Sequence, residues 1–321
     1  MTTFLRRWAP WFVKLGLSVI VMAVVCRKVD FAAAWDGVRQ VDWRWGVVAL
    51  AAFFLQVPIG SRRWQLIVNA IARRLSFMDC TRLFYIAGFF NLLLPGAVGG
   101  DGFRIWSAHR LGLRIREAVN SVLLERVMTL FGLFLLVSVM EPVLLTRLPD
   151  LHGAWIFPIL TLAGAAGIGA LTVIDRVPSF VGRLRVLGRV AGIGPDARAV
   201  FLRPKVFTSV LFWTVIGHAN LAFVVWLLSL GLKLDLSLLD CLVLVPPVIL
   251  LTTLPISIAG WGVREGAMVY FLSLVGVPNS SALALSVLFG LINTLASLPA
   301  AAIWLLSPER ARPVLSTALG G

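Results

Sequence analysis

Long runs of apolar residues, separated by short charged segments, dominate the chain. Such runs predict membrane-spanning α-helices, because about 20 apolar residues cross the hydrocarbon core and a helix satisfies its own backbone polar groups. A transmembrane β-barrel would show alternating strands of about ten residues instead. The pattern predicts an all-α polytopic membrane protein with about seven or eight transmembrane helices. Unbroken helices are expected at residues 8–26, 45–60, 118–141, 154–174, 206–230 and 281–306.

Two further apolar runs are interrupted by helix breakers. Residues 83–100 end in a Pro/Gly segment, and residues 238–259 form the second run. Three prolines interrupt that second run, namely Pro246, Pro247 and Pro255. Because proline removes a backbone donor and ends a helix, neither run is expected to be a clean span. Both are predicted to be re-entrant hairpins, and a short helix is predicted after the second one at 263–277.

The composition supports the same class. Of 321 residues, 59% are hydrophobic and 14% are charged, with a mean hydropathy of +0.93, whereas a soluble domain carries about 25% charged residues. The net charge of +14 favours arginine-rich cytoplasmic loops and contact with anionic lipid headgroups. Nucleic acid is not an expected partner, because no basic segment with interleaved aromatic residues lies outside the apolar runs. The first apolar run lacks a small-residue cleavage site and is interpreted as a retained anchor.

The distribution of arginines predicts the orientation of the chain, because cytoplasmic loops carry an excess of Lys and Arg. The basic segments predicted to lie inside are 61–82, 103–116 and 175–205, and the more balanced loops predicted outside are 27–45, 142–153 and 231–240. The first two basic segments suit helices that lie along a membrane surface. The amino terminus is then cytoplasmic, in a bacterial inner membrane. The side of the carboxyl terminus stays open, because Arg310 and Arg312 favour the inside whereas the number of spans favours the outside.

One short pattern, Leu-Pro-x4-Gly-x-Gly-x-Arg, appears twice at a spacing of 160 positions. It contributes Pro95, Gly100, Gly102 and Arg104, and then Pro255, Gly260, Gly262 and Arg264. Three unbroken spans lie between the copies, an odd number, so the copies would enter the membrane from opposite faces. This is the layout of an inverted-topology repeat, as in transporters whose site lies where broken helices meet. A coincidence of two Gly/Pro loops is the alternative.

The whole chain, residues 1–321, is therefore predicted to be one membrane domain with two half-repeats. The predicted boundaries are about 45–141 for the first half-repeat, about 206–306 for the second and about 175–205 for the basic cytoplasmic connection.

The repeated residues have a chemistry suited to a phosphate. Glycine lets the chain turn and lets another group approach the backbone, and a helix that starts after each turn favours an anion at its amino terminus. Arg104 and Arg264 would lie in that first turn, where a guanidinium can hold a phosphate with two hydrogen bonds. Alternatively, each arginine snorkels to the nearest headgroup layer.

Polar residues flank both copies of the pattern, with Asn91 and Asp101 at the first and Glu265 after the second. A carboxylate beside an arginine can fix the arginine's rotamer or neutralise it until a substrate arrives. A simple structural ion pair is the alternative, and the sequence does not decide between the two.

Glu125 and Arg126 lie about two turns inside the span predicted at 118–141. Ionisable groups at such depth are rare and usually face a bundle interior or a wet cavity. Glu125 also belongs to a polar helix stripe with members at i+4 steps, namely Glu117, Ser121, Glu125 and Thr129. If the span starts later, the pair would lie at the headgroups instead. Other intramembrane polar residues are interpreted as interhelical hydrogen-bonding groups, namely His218, Asn220 and Asn293.

The motifs of common enzymes are missing from the sequence. We find no nucleophile elbow, P-loop, His/Cys metal cluster or His-Glu-x-x-His. A membrane-embedded enzyme is therefore the least favoured class, and neither a cofactor nor a metal is expected. The twelve tryptophans lie mostly near segment ends and are interpreted as membrane-interface belts.

Taken in order, these motifs resemble those of a known family. The segments that carry the resemblance are Arg63-Trp64, Asn91 through Arg104, Glu125-Arg126 and Pro255 through Glu265. They are similar to the lysylphosphatidylglycerol synthase transmembrane region family, also called flippase-like, over nearly the whole chain. The chain departs from the family's Gly-rich turn at Ser257-Ile258-Ala259. The resemblance implies a stand-alone membrane half, without the aminoacyltransferase domain of the synthases, to which lipid translocation between leaflets is attributed.

We therefore expect a lipid flippase-like transporter for an anionic phospholipid or related envelope lipid. The alternative is a non-transporting membrane partner that binds a lipid for an enzyme encoded elsewhere. The candidate substrate-binding residues are Asn91, Pro95, Gly100, Asp101, Arg104, Glu125, Arg126, Pro255, Gly260, Gly262, Arg264 and Glu265. Membrane lipids with anionic headgroups are the expected partners, and a homo-oligomer or a lipid-synthesis enzyme stays open as a protein partner.

Overall fold

The structure, a computed structural model, is built from helices throughout the residues that it describes. The described residues are 31–72, 74–93, 98–147, 155–176, 191–253 and 261–306. The first six α-helices are α1 Phe31–Arg39, α2 Trp43–Phe54, α3 Gln56–Ile71, α4 Phe77–Leu93, α5 Val98–Arg110 and α6 Ile115–Arg147. The other six are α7 Ile156–Val173, α8 Gly194–Phe201, α9 Pro204–Gly231, α10 Leu238–Thr253, α11 Val263–Ser273 and α12 Asn279–Leu305.

The described residues include five helical segments that are long and apolar enough to cross a membrane. These segments are Trp43–Ile71, Ile115–Thr146, Ile156–Arg176, Pro204–Gly231 and Asn279–Leu305. The prediction of an all-α polytopic membrane protein is therefore confirmed. The span predicted at 8–26 lies outside the described residues.

The helix predicted at 45–60 is longer than its apolar pattern indicated. Helices α2 and α3 follow one another at Leu55 and together reach Ile71. The prediction of a surface helix over 61–82 is wrong for its first half, because α3 buries Trp64, Ile67 and Val68 completely. The arginines of this segment made it resemble an interfacial helix, but Arg63 has a buried carboxylate as its partner.

The two interrupted apolar runs each form a pair of short helices. Helix α4 packs against α5, and α10 packs against α11. Since a helix rises about 1.5 Å per residue, the 11 residues of α11 are too short to cross a core of about 30 Å. Helix α10 runs without a break through Pro246 and Pro247, so the predicted interruption at this pair is wrong.

Helix ends and helix contacts recur between the two halves of the chain. Ile71 and Gly231 end α3 and α9, and 231 − 71 = 160, the spacing of the repeated pattern. The packing is reciprocal, because α4 contacts α12 of the second half while α10 contacts α6 of the first half. Helices α3 and α9 also pack against each other. The interrupted pair of each half is thus held by a long helix of the other half.

The described part of the connection between the halves is tied down by polar contacts. Asn120 on α6 donates from Nδ2 to Asp196 Oδ2 of α8 at 2.6 Å. Arg198 of α8 donates two hydrogen bonds to the Asp175 carboxylate at 2.6 and 2.8 Å. Elsewhere, Asn220 Nδ2 donates to the Ala52 carbonyl at 3.1 Å, which is the interhelical hydrogen bond expected for this residue.

Candidate functional site

Five ionisable residues from three helices form one continuous network, which we call the ion network. Its members are Arg63 on α3, Asp101 and Arg104 on α5, and Glu125 and Arg126 on α6. Arg104 Nη1 lies 2.7 Å from Glu125 Oε2, and Arg104 Nη2 lies 2.7 Å from Asp101 Oδ1. Arg126 donates to both oxygens of Asp101, from Nε at 2.8 Å and from Nη2 at 3.0 Å. Arg63 donates from Nε to Glu125 Oε1 at 3.0 Å and also contacts this oxygen through Nη2.

Helical spacing explains how these side chains meet. Asp101 and Arg104 are three residues apart on α5 and therefore lie on one face. The polar stripe of α6 faces α3, because Trp64 Nε1 donates to Ser121 Oγ at 3.2 Å one turn before Glu125. Arg126 leaves α6 in a different direction and reaches the same network through Asp101.

The network has a deep end and an open edge. The Glu125 and Arg104 side chains are 3% and 4% exposed, whereas the Asp101 and Arg126 side chains are 19% and 40% exposed. Glu125 lies ten residues after the start of α6 at Ile115, or about 15 Å along the helix. The Glu125 side chain therefore faces the bundle interior, as predicted.

Two aromatic rings enclose the deepest guanidinium. The Cζ atom of Arg104 lies 5.3 Å from the ring centroid of Trp64 and 5.3 Å from that of Phe84. Such rings attract a cation electrostatically, and the attraction grows when water is excluded. Arg104 therefore points inward to charged and aromatic partners, so snorkelling does not describe it. The assignment of Trp64 to an interface belt is wrong for the same reason.

The ion network has an excess of positive charge. With every group ionised, three guanidiniums and two carboxylates give 3 − 2 = +1. Because a charge is expensive inside a membrane protein unless it is paired, this excess favours an anion close to the network. His218 of α9 lies beside it, with Nε2 at 3.1 Å from the Thr129 carbonyl and Nδ1 without a hydrogen-bond partner within the described residues.

The second half contains a smaller and balanced cluster. Arg264 donates to Glu265 Oε1 from Nη2 at 2.5 Å and from Nε at 3.0 Å, and Nε also lies 3.3 Å from Ser286 Oγ of α12. Glu265 Oε2 accepts from the Gly262 amide at 2.6 Å and so caps α11. Arg264 stacks over the Trp261 ring at 4.6 Å. One positive and one negative charge cancel, and both side chains are buried.

The glycines of the repeated pattern have different roles in the two copies. Gly262 has a φ of +84° and precedes α11, as the prediction of a turn requires. Gly100 and Gly102 instead lie inside α5, so the prediction that they form a turn is wrong. Gly100 serves close packing: its amide donates to Asn91 Oδ1 at 2.9 Å, and an added Cβ would lie only 2.6 Å from that oxygen.

The two arginines of the pattern also differ in position. Arg264 is the second residue of α11 and lies in its first turn, as predicted. Arg104 is the seventh residue of α5, so its predicted place in the first turn is wrong; Asp101 occupies that turn. Three candidate residues lie outside the described residues, namely Pro95, Pro255 and Gly260.

The structure brings together Asp101, Arg104, Glu125 and Arg126 and, as a separate cluster, Arg264 and Glu265. Sequence reasoning did not name Arg63 or Ser286 as site residues. Arg63 is 62 positions from its partner Glu125, and the Arg63-Trp64 pair was a signal only within the resemblance. Ser286 is an ordinary serine in an apolar helix, and no signal in the sequence singles it out.

Comparison with known proteins agrees with the family resemblance seen in the sequence motifs. Residues 11–301 match a family model described as the lysylphosphatidylglycerol synthase TM region. The chain is 26% identical over 307 residues to a UPF0104 membrane protein of Methanothermobacter thermautotrophicus, an alignment that covers 84% of this chain and 86% of the relative. It is 23% identical over 115 residues to a UPF0104 membrane protein of Archaeoglobus fulgidus, covering 35% of this chain and 34% of that relative.

Proposed function

We propose that this chain, which belongs to the lysylphosphatidylglycerol synthase transmembrane region family, moves an anionic lipid between the two leaflets of the membrane. The protein is a multi-pass membrane protein, with five apolar spans among its described residues. Within the proposal, the membrane is the bacterial inner membrane and the amino terminus is cytoplasmic.

One observation carries the proposal: a network of five ionisable groups, buried at Arg104 and Glu125 and partly exposed at Arg126, has a net charge of +1 about 15 Å along α6. Ionisable residues within membrane helices usually belong to a substrate or ion pathway. A lipid phosphate would supply the missing negative charge, while the acyl chains stay in the bilayer. The guanidinium of Arg126 is the most exposed member and offers the first contact.

The reciprocal packing of the two halves supports a route that is open to each leaflet in turn. We infer that the pairs α4–α5 and α10–α11 are re-entrant hairpins in an inverted repeat. The unbroken helices α6, α7 and α9 separate them, and this odd number would put the hairpins on opposite faces. In transporters of this design the site lies between the repeats, and one repeat moves against the other. If each hairpin returns to its own face, α12 ends on the cytoplasmic side.

The proposal is for a carrier and not for an enzyme. The charged groups of the network pair with one another, and none of them forms a nucleophile with an adjacent general base. Neither a cofactor nor a metal has a part in it.

Reconstitution in liposomes tests the proposal. A phosphatidylglycerol with a fluorescent acyl chain is placed in both leaflets, and dithionite bleaches the label that faces outward. We expect the purified protein to expose the inner-leaflet label to bleaching faster than empty liposomes do. Labelled phosphatidylcholine in parallel vesicles reports whether the headgroup charge matters.

Two other results would change the function. Binding of the anionic lipid without any faster bleaching would favour the lipid-binding partner of an enzyme encoded elsewhere. If the protein neither binds the lipid nor accelerates bleaching, the ion network has only a structural role.

A further inference from the structure

We propose that the Asp101 carboxylate takes the position on the Arg126 guanidinium that a lipid phosphate would take, and that the phosphate displaces this carboxylate when the lipid enters. The inference rests on the proposed function for the identity of the ligand. It assigns to Asp101 the role of a built-in competitor that sets how tightly the headgroup is held and how readily it leaves.

The geometry of the pair is that of an anion in a guanidinium fork. Arg126 directs Nε to Asp101 Oδ2 at 2.8 Å and Nη2 to Oδ1 at 3.0 Å. Two parallel hydrogen bonds of this kind also hold a phosphate on arginine. Within the described residues, both hydrogen bonds that Arg126 donates go to this one carboxylate. A phosphate at Arg126 therefore has to replace Asp101 or share the guanidinium with it.

The exposure of the side chains puts the exchange at the open edge. The Arg126 side chain is 40% exposed and the Asp101 side chain 19%, whereas Arg104 behind them is 4% exposed. A headgroup can therefore reach Arg126 without entering the protein interior. The same headgroup cannot reach Arg104 unless helices α5 and α6 separate.

The deep end of the network can remain intact while Asp101 moves. Glu125 accepts from Arg104 on Oε2 at 2.7 Å and from Arg63 on Oε1 at 3.0 Å, so each of these arginines keeps a carboxylate partner. Asp101 can remain on Arg104, to which it is bonded at 2.7 Å. A phosphodiester on Arg126 would then bring the charge of the network from +1 to zero. Only the outer pair has to open.

Among its described residues, the second half offers no comparable exchange. Glu265 holds Arg264, caps Gly262 and lies 3.3 Å from Ser286 Oγ, so three partners fix its position. The side chains of Arg264 and Glu265 are 6% and 1% exposed. The cluster is neutral and closed. We therefore interpret Arg264 and Glu265 as positioning residues that hold α11 against α12, and within the described residues we assign the anion site to the first half.

The substitution Asp101→Asn tests the exchange, because it keeps the shape of the side chain and removes the competing charge. Binding of short-chain phosphatidylglycerol to the purified full-length protein is measured by calorimetry, with short-chain phosphatidylcholine and inorganic phosphate as comparison ligands. We expect the Asn variant to bind phosphatidylglycerol about ten-fold more tightly than the wild type and to transport it more slowly, because release is slower. The double variant Asp101→Asn/Arg126→Ala should lose the gain.

Comparison ligands and a charge-conserving variant separate the sources of the effect. If Asp101→Asn strengthens the binding of inorganic phosphate as much as that of the lipid, the ligand is a free anion and the lipid assignment is overturned. The variant Asp101→Glu keeps the charge and should bind within about two-fold of the wild type. Arg126→Ala should bind phosphatidylglycerol less tightly than the wild type. If Asp101→Asn also binds it less tightly, Asp101 is a structural residue and the exchange is overturned.

A measurement on the wild type covers the case in which the Asn variant does not fold. Phenylglyoxal modifies accessible arginines, and mass spectrometry reports the modification of each one. Short-chain phosphatidylglycerol should protect Arg126 and leave exposed Arg114 unprotected. Equal modification of Arg126 with and without the lipid would overturn the inference.

The inference and the proposed function can fail separately. If Asp101→Asn tightens binding but the wild type moves no lipid in liposomes, the anion site is supported and the proposed translocation is contradicted. If the wild type moves lipid while Asp101→Asn and Arg126→Ala change neither binding nor transport, translocation is supported and the exchange at Asp101 is contradicted.

Discussion

Arg104 Nη1 and Glu125 Oε2 lie 2.7 Å apart between helices α5 and α6, and both side chains are almost completely buried. This pair joins the interrupted segment of the first half to its longest helix. Glu125 also accepts from Arg63, so a single carboxylate ties three helices together. Glu125 explains how two arginines, Arg63 and Arg104, can lie largely buried in an apolar protein, and it leaves the partly exposed Arg126 as the arginine that an outside anion can reach.

Replacement of Glu125 should destabilise the protein more than replacement of any exposed carboxylate. Glu125→Gln leaves the largely buried Arg63 without its charged partner and Arg104 with Asp101 alone, and an unpaired buried charge costs about 3–5 kcal/mol. Thermal unfolding of the detergent-purified protein measures the change. Glu117→Gln is the control, because the Glu117 side chain is 18% exposed and its partner at 4.0 Å, Arg114, is 83% exposed, so we expect a loss of about 1 kcal/mol there. Equal losses from the two substitutions would contradict the role of Glu125.

Gly100 should not tolerate a methyl group. In Gly100→Ala the added Cβ would lie 2.6 Å from Asn91 Oδ1 and in contact with the Ala87 carbonyl, which would push α5 away from α4. Overpacking of this kind costs about 1–3 kcal/mol. Unfolding temperature and the yield of monodisperse protein are the measurements.

Gly102 provides a matched control for the same helix. It is exposed on α5, and nothing lies within 4 Å of an added Cβ. Because alanine has the better helix propensity, Gly102→Ala should be neutral or stabilising by up to about 1 kcal/mol. If Gly100→Ala is as well tolerated as Gly102→Ala, the close approach of α4 and α5 is wrong.

The Arg264–Glu265 pair should behave as a structural unit. Arg264→Met and Glu265→Gln each leave the other charge buried, so each should cost about 3–5 kcal/mol of stability. The double variant should lose clearly less than the sum, because no charge is left unpaired. A thermal-unfolding cycle of the four proteins measures the coupling. Additive losses would show that the two side chains do not depend on each other.

The sequence predicts the class and the general positions of the helices because both depend on local hydrophobicity. Glu125 stands out in the same way, since a carboxylate about two turns inside an apolar run needs an explanation. Its partners are harder to predict. Arg63 lies in a basic stretch that resembles a surface helix, and only the tertiary fold brings it to Glu125 across 62 positions.

The local preferences of proline and glycine also gave wrong predictions where packing against neighbouring helices stabilises a continuous helix. Pro246 and Pro247 predict a helix break, yet α10 continues through both, and both are buried among its neighbours. Gly100 and Gly102 predict a turn, yet both lie within α5, where Gly100 allows the helix to approach Asn91. In each case packing between helices outweighs the preference of the single residue, and a single sequence does not contain that information.

The role of Arg126 in moving an anionic lipid is the central claim. The direct test compares fluorescent phosphatidylglycerol transport in liposomes that contain the wild type, Arg126→Ala or Arg114→Ala. Arg114 is the matched control, because its side chain is 83% exposed and lies outside the ion network. We predict that Arg126→Ala lowers the rate at least about ten-fold, the effect of losing roughly 1.4 kcal/mol, while Arg114→Ala keeps the wild-type rate. Equal rates in all three proteins would contradict the account.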